Sequence, residues 1–414
     1  MSKTIAATAL SAVLALGIAG AAAHAETTIN ALFMSQAAYS EQNVRDMTAD
    51  FMKDNPDIKV NVEFVPYEGL RDKTLLSQGA GAGYDVVLFD VIWPAEYAEN
   101  KVLVDVTDRI TADMKSAIMP GAWTTVDYKN HAYGMPWILD TKYLFYNTEM
   151  LKKAGIAAPP KTWDELLSQA KTIKDKGIVD YPIVWSWAQA EAVICDYTML
   201  LASYGGSFLT DDGKPAFQSG GGVQALDYMV KSVEEGVTNP NSKEYVEEDV
   251  RRVFSSGQAA FALNWTYMYN SANTPGGETK IAGKVGVVPG PGVAGKLDAS
   301  AVNGSMGLGI TATSKHPDEA WKYILAMTSL KTQEKYAQLS LPIWSAWYDN
   351  PNVAKDQEPL IAAAKVGLAA MYPRPTTPKY QELSTAIQQA IQSALLKSAA
   401  PDAALKDAAA ASGL

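Results

Sequence analysis

Residues 86–93 read VVLFDVIW, an apolar run that stops at Asp90 and is followed by Trp93 three positions later. Such a run suits a strand buried on both faces, and open α/β sheets bind ligands beyond the carboxyl ends of their strands. The Asp90 carboxylate therefore either meets a ligand at the rim of a crevice or caps the turn AEYAEN that follows. Trp93 either lines that crevice or packs the next helix, with packing preferred. The stretch YGMPWILDTKYLFYN (133–147) repeats the theme, carrying Asp140 among apolar and aromatic residues. A carboxylate there needs a partner or a cavity.

The chain has ten Trp and twenty Tyr. Trp93, Trp137, Trp185, Trp187, Trp265, Tyr267 and Trp344 fall at expected strand ends beside Asp, Asn or Arg. Indole and phenol faces match the C–H faces of sugar rings, while carboxylates, amides and guanidinium groups match hydroxyls. Taken singly, each of these aromatics reads as core in preference to a ligand contact. Asp90 and Asp140 also form a candidate acid and nucleophile pair for glycoside hydrolysis.

Other chemistries find little support. In GAGAGYD (79–85) and NGSMGLGI (303–310) the glycines run into strands, whereas phosphate loops need strand, then glycines, then a helix. Beyond residue 25 the histidines are His131 and His316, and Cys195 has no second cysteine to pair with. No metal site, cofactor or disulfide is expected. No G-x-S-x-G elbow occurs, and Cys195 in its apolar surroundings reads as core. The net charge of -10 argues against nucleic acid or an anionic membrane surface as partner.

These residues must be held by elements the sequence also suggests. Lys3, the apolar stretch Ile5 to Ala23 and the Ala23-His24-Ala25 ending predict a signal peptide over 1–25, cleaved after about Ala25. No cysteine follows for lipid attachment, and no later run is long enough to span a bilayer. The remaining length suggests two or three domains. Strands are expected at 27–34, 58–65, 86–90 and 133–147, with 181–190 and 258–269 ending in aromatic clusters. Helices are expected at 40–53 with Ser40 as cap, 68–78, 162–176 with Thr162 and Glu165 as a capping box, 317–329 and 380–407. Alternation of strand and helix predicts mostly parallel sheets covered by helices, an α/β fold.

Five stretches carry a family resemblance by their order and spacing: YDVVLFDVIWPAEYAENKVLVDVT (84–107), YGMPWILDTKYLFYNTEMLKKAGI (133–156), PKTWDEL (160–166), FSSGQAAFALNW (254–265) and YPRPTTPKYQEL (372–383). Together they resemble the extracellular solute-binding proteins of ABC importers, in the carbohydrate-binding group of the maltose- and trehalose/maltose-binding proteins. The resemblance implies two hinged α/β lobes, 26–138 plus 303–338 and 139–302 plus 339–414. It implies a monomeric, non-enzymatic periplasmic receptor that clamps a neutral sugar or polyol and passes it to membrane permease subunits. A phosphorylated or otherwise charged polyol is the alternative ligand. It makes Asp90, Asp140, Trp265, Tyr267 and Arg374 ligand contacts, with Glu41 and Arg71 matched more loosely and Gln36 added at the end of the first strand. Gly304 falls where the backbone approaches closely. Ser305 stands where some relatives carry a tryptophan, so one stacking face is missing, and Trp187 in the W-S-W pair is the candidate substitute.

Overall fold

The computed structural model describes residues 26–36, 38–79, 83–350 and 357–414; the expected leader, 1–25, and residues 80–82 of the GAGAGYD stretch lie outside the described residues. Two sheets form the framework. The first has five strands in the order Ile58–Val65, Thr27–Met34, Val86–Asp90, Met306–Ile310, Met135–Ile138. The second has six, in the order Met371–Tyr372, Leu297–Val302, Val285–Val293, Tyr143–Asn147, Phe261–Asn264, Ile183–Val184. Helices cover both, giving the two-lobe α/β architecture.

The sheets are mixed rather than mostly parallel. Thr27–Met34 pairs in parallel with both its neighbours, but Met306–Ile310 enters antiparallel to Val86–Asp90. In the second sheet Val285–Val293 runs antiparallel to both Tyr143–Asn147 and Leu297–Val302. Threading explains Met306–Ile310 and Tyr143–Asn147, since a strand that arrives from the other lobe need not follow a right-handed crossover, whereas Val285–Val293 and Leu297–Val302 are antiparallel because a tight turn joins them.

Local chemistry sets the elements as expected. Ser40 and Asn43 bond each other's backbone N–H at 3.3 and 3.0 Å and start the Glu41–Asp54 helix, whose Val44, Met47, Thr48 and Phe51 are buried. Thr162 and Glu165 do the same for Trp163–Asp175. Val86–Asp90 is buried at every position, which is why its run is continuously apolar.

The stretch 133–147 is not one strand. It splits into Met135–Ile138 and Tyr143–Asn147, which belong to different sheets. The polar trio Asp140-Thr141-Lys142 forms the crossing between them, and the Thr141 hydroxyl accepts from the Val302 N–H at 3.0 Å. A second crossing, residues 303–305, lies beside it: the Gly304 N–H donates to the Asp140 carbonyl at 3.1 Å, and the Asp140 N–H donates to Ser305 Oγ at 3.3 Å. Two further stretches are shorter as strands than the sequence suggests. Strand pairing ends at Val184 before the W-S-W pair, and 258–269 is a strand to Asn264 followed by a helix from Tyr267.

Candidate functional site

A cavity of about 300 Å³ opens between the two sheets. One wall is made by the carboxyl ends of the four co-directional strands of the first sheet: Met34 to Gln36, Pro66 and Tyr67, Asp90, and Ile138. The other is made by the N-termini of the helices Glu191–Ser203 and Glu247–Ser255, with Trp265 and Tyr267 after the Phe261–Asn264 strand. Asp140 and Gly304, from the two crossings, form the floor. Gln36, Asp90, Asp140, Trp265, Tyr267, Gly304 and Arg374 thus all face one space.

Arg374 ties this space together. Its Nη2 lies 2.8 Å from Asp90 on the first lobe, and its Nη1 lies 2.7 Å from Glu191 on the second. Its guanidinium also donates to the Asn303 carbonyl at 3.1 and 3.3 Å. Burial opposes the charge on Arg374 more than any single neighbour favours it, but the surrounding groups together, Asp90 first among them, outweigh burial and the pKa rises. Asp90 accepts further bonds from the Tyr67 hydroxyl at 3.1 Å and the Ile92 N–H at 3.2 Å. It does not cap the next helix, whose first-turn N–H groups receive no side-chain cap. Burial pushes Glu191 up, against the pull of Arg374, Ser384 and Tyr380.

Trp265 presents the aromatic wall. Its indole N–H donates to Glu247 at 3.2 Å, and the Lys142 ammonium lies 5.2 Å from its ring centroid. Lys142 is fully buried and bonded to Asp196 at 2.7 Å and Ser186 at 2.9 Å, so it fixes the ring from behind. Gly304 supplies the room: a Cβ there would lie 2.2 Å from two carbons of the Trp265 ring. Gly304→Ala is therefore expected to displace the indole and weaken ligand binding about tenfold while the fold persists. Titration calorimetry on the variant checks this, and unaltered affinity would show that the ring is not held by that contact.

Asp140 is a second buried carboxyl. It accepts from the Thr141 N–H at 2.8 Å and from the Thr266 N–H and hydroxyl. Burial outweighs these donors and pushes its pKa up to about 7. Because the folded-state value lies above the unfolded one, this group's stabilising contribution is complete below about pH 4 and is lost as pH rises to about 7. At roughly 1.4 kcal/mol per unit, the loss is at most about 4 kcal/mol. Asp140→Asn should flatten that part of the stability profile and exceed the parent's stability at pH 8. Denaturant melts from pH 4 to 8 test it, and parallel profiles would contradict the assignment.

The other expected contacts lie elsewhere. Trp187 is fully buried, stacked on Trp185 at 4.9 Å with a 5° interplanar angle, and donates to Asp196 at 3.1 Å. It is core, and it offers no substitute stacking face. Ser305 is fully buried in the crossing. Glu41 is exposed at the start of its helix, 3.8 Å from Arg45. Arg71 is held by Glu96 and Asp72 outside this cavity. Trp93 packs, as preferred, against Tyr67 at 5.6 Å and Tyr97 at 5.9 Å. Cys195 lines the cavity, but burial pushes its thiol up to about 12, so it stays protonated. Sequence reasoning missed Tyr67, Glu191, Glu247 and Lys142. Glu191 and Glu247 sit at helix N-termini, where acids are favoured for structural reasons alone and attract no notice.

Comparison with known proteins adds the following. The model of the bacterial extracellular solute-binding protein family matches residues 37–334. A probable ABC transporter-binding protein of Deinococcus radiodurans is 31% identical over 95% of this chain and 96% of its own length. Among solved structures, the maltose-bound MalE3 of T. maritima superposes with a TM-score of 0.86 at 30% identity, over 93% of this chain and 98% of that one. An ABC transporter solute-binding protein of Agrobacterium radiobacter K84 in complex with ribitol gives 0.83 at 25% identity, over 93% and 97%.

Proposed function

The chain belongs to the bacterial extracellular solute-binding protein family, and on that premise we propose that it captures a neutral sugar or polyol between its lobes for an ABC importer. The observation that carries this reading is the cleft itself, where an indole wall and hydroxyl-bonding carboxyls face each other across two lobes. Maltose and ribitol in the related structures support the ligand class. Ligand contact is assigned to Gln36, Asp90, Asp140, Trp265, Tyr267, Gly304 and Arg374. The lobes are 26–138 plus 303–338 and 139–302 plus 339–414, hinged at the paired crossings. A ligand that touches both favours the closed arrangement by its differential affinity. The closed receptor then docks on membrane permease subunits, as a monomer in the periplasm once the leader is removed.

Electrostatics weigh against the phosphorylated alternative. Among the described lining residues six carboxyl groups, Glu68, Asp90, Asp140, Glu191, Glu247 and Glu248, face one guanidinium. That guanidinium is already bonded to two of them, and an anion would have to displace a buried pair. The same bonds weigh against hydrolysis, since Asp90 is engaged by three donors. Two assays test the reading. Turnover of aryl glycosides by the purified protein would make it an enzyme, and displacement of a bound neutral sugar by sugar phosphates would move the ligand class to anions.

A further inference from the structure

The lining of the cleft carries more carboxyl groups than a neutral ligand calls for. Of the six, Asp90 and Glu191 are paired with Arg374, and Glu248 is paired with Arg251 at 2.8 Å. Burial pushes the Asp140 pKa up to about 7, and Glu68 is exposed to solvent. Glu247 remains, part-buried beside Trp265, and Arg374, the cation of the described lining, is bonded elsewhere.

The counter-charge of Glu247 lies behind the wall. The Lys142 ammonium is fully buried, does not line the cleft and sits 3.4 Å from Glu247 Oε1. The same oxygen accepts the Trp265 indole N–H at 3.2 Å. Lys142 is held there by Asp196 at 2.7 Å, Ser186 at 2.9 Å and the Ala192 carbonyl at 3.4 Å. Asn264 clamps the other side: its Nδ2 donates to the Glu247 carbonyl at 2.9 Å, and its Oδ1 accepts the Trp265 backbone N–H at 2.8 Å. Glu247 Oε1 is thus drawn between an ammonium and an indole. An ammonium at this depth is costly unless anions match it. Burial is the strongest influence on Lys142 and opposes its charge, but its neighbours, Asp196 and Glu247 first among them, together outweigh burial and keep it protonated.

We propose that Lys142 is a positioning residue that sets the charge preference of the cleft: by holding Glu247 against Trp265 it withdraws a free carboxylate from the ligand, so that neutral rather than cationic hydroxyl compounds are taken. The inference rests on the neutral sugar or polyol reading above and deepens it. It names the residue that lets an acid-rich cleft accept uncharged ligands.

The test measures affinities at neutral pH by titration calorimetry for D-glucose, D-glucitol and maltitol, each beside its cationic analogue, D-glucosamine, D-glucamine and aminodeoxymaltitol. The proteins are the mature parent, the Lys142→Met/Asp196→Asn variant and that variant with Glu247→Gln added. Removing both members of a buried ion pair is often neutral for stability, and asparagine keeps an acceptor for the Trp187 indole. The pair carries no net charge, so the change at the cleft is the release of Glu247. A displaced ring weakens both members of a probe pair alike, so the ratio of amine to neutral affinity separates this role from a merely structural one. In the parent the neutral member should bind at least as tightly as its amine. The Lys142→Met/Asp196→Asn variant should shift the ratio toward the amine by about tenfold, and Glu247→Gln should cancel the shift. A ratio that does not move, or a shift that Glu247→Gln leaves in place, overturns the proposal while the carbohydrate reading stands. Glu247→Gln alone decides the matter should the paired variant not fold: it should leave the parent's ratio within about twofold, and a severalfold loss of amine affinity would show that Glu247 already faces the ligand. If no probe binds the parent, the carbohydrate reading fails and the proposal with it.

Discussion

Arg374→Ala should destabilise the protein by about 3–5 kcal/mol, the usual cost of removing one partner from a buried charge cluster. The side chain is 1% exposed, and its loss strands Asp90 and Glu191, which are 5% and 11% exposed. Two carboxylates would then face each other, with the Tyr67, Tyr380 and Ser384 hydroxyls and the Ile92 N–H as their remaining donors among the bonds described. The penalty should shrink as pH falls, because burial raises the Glu191 pKa and protonation there removes one of the two facing charges. Combining Arg374→Ala with Glu191→Gln should recover part of the loss at neutral pH for the same reason. Denaturant melts of the two variants at pH 4.5 and 7.5 give the comparison. Parent-like stability of the single variant would mean that the cluster is not desolvated as described.

Trp265→Ala should weaken ligand binding by tenfold to a hundredfold, or about 1.4–2.7 kcal/mol. A tryptophan that anchors a desolvated contact commonly contributes at that level. The ring is only half-buried, its N–H is satisfied by Glu247, and Lys142 holds it from behind. Truncation therefore removes the stacking face while leaving most of the core intact. Stability should fall far less than in Arg374→Ala. The two variants thus separate two contributions: the buried charge cluster centred on Arg374, and the stacking face proposed for Trp265. Calorimetry beside a thermal melt reads both quantities, and equal affinity for Trp265→Ala would remove the indole from the site.

Much of this was legible beforehand, and the physical reasons differ by residue. Val86–Asp90 announces itself because a strand covered on both faces must be apolar throughout. The Ser40 cap and the Thr162–Glu165 capping box are legible because they satisfy backbone donors within four residues, whereas the reciprocal bond from Asn43 was not read. Asp90 and Asp140 stand out as carboxyls that end or interrupt apolar runs, and both reach the cleft. The division of 133–147 between two sheets was not visible, since strand periodicity is the same whichever sheet receives the strand. Trp187 shows the limit of reasoning from aromatic clusters. Its neighbour two positions away gave it a shared face with Trp185, but whether that face meets a cavity or a helix is a tertiary fact, and here Asp196 on the Glu191–Ser203 helix closes over it. Lys142 was invisible for the opposite reason, because a lysine next to a strand normally extends to solvent, and here the carboxylates of buried Asp196 and part-buried Glu247 draw it inward.

The central claim is that the cleft recognises a neutral, hydroxyl-rich molecule. Thermal melting of the ligand-stripped mature protein against monosaccharides, disaccharides, polyols and sugar phosphates tests it directly. A ligand at a hundred times its dissociation constant stabilises by about 2.7 kcal/mol, which is readily read. The account predicts an upward shift confined to neutral sugars or polyols. A shift with phosphorylated compounds alone, or none with any member of the panel, would contradict it.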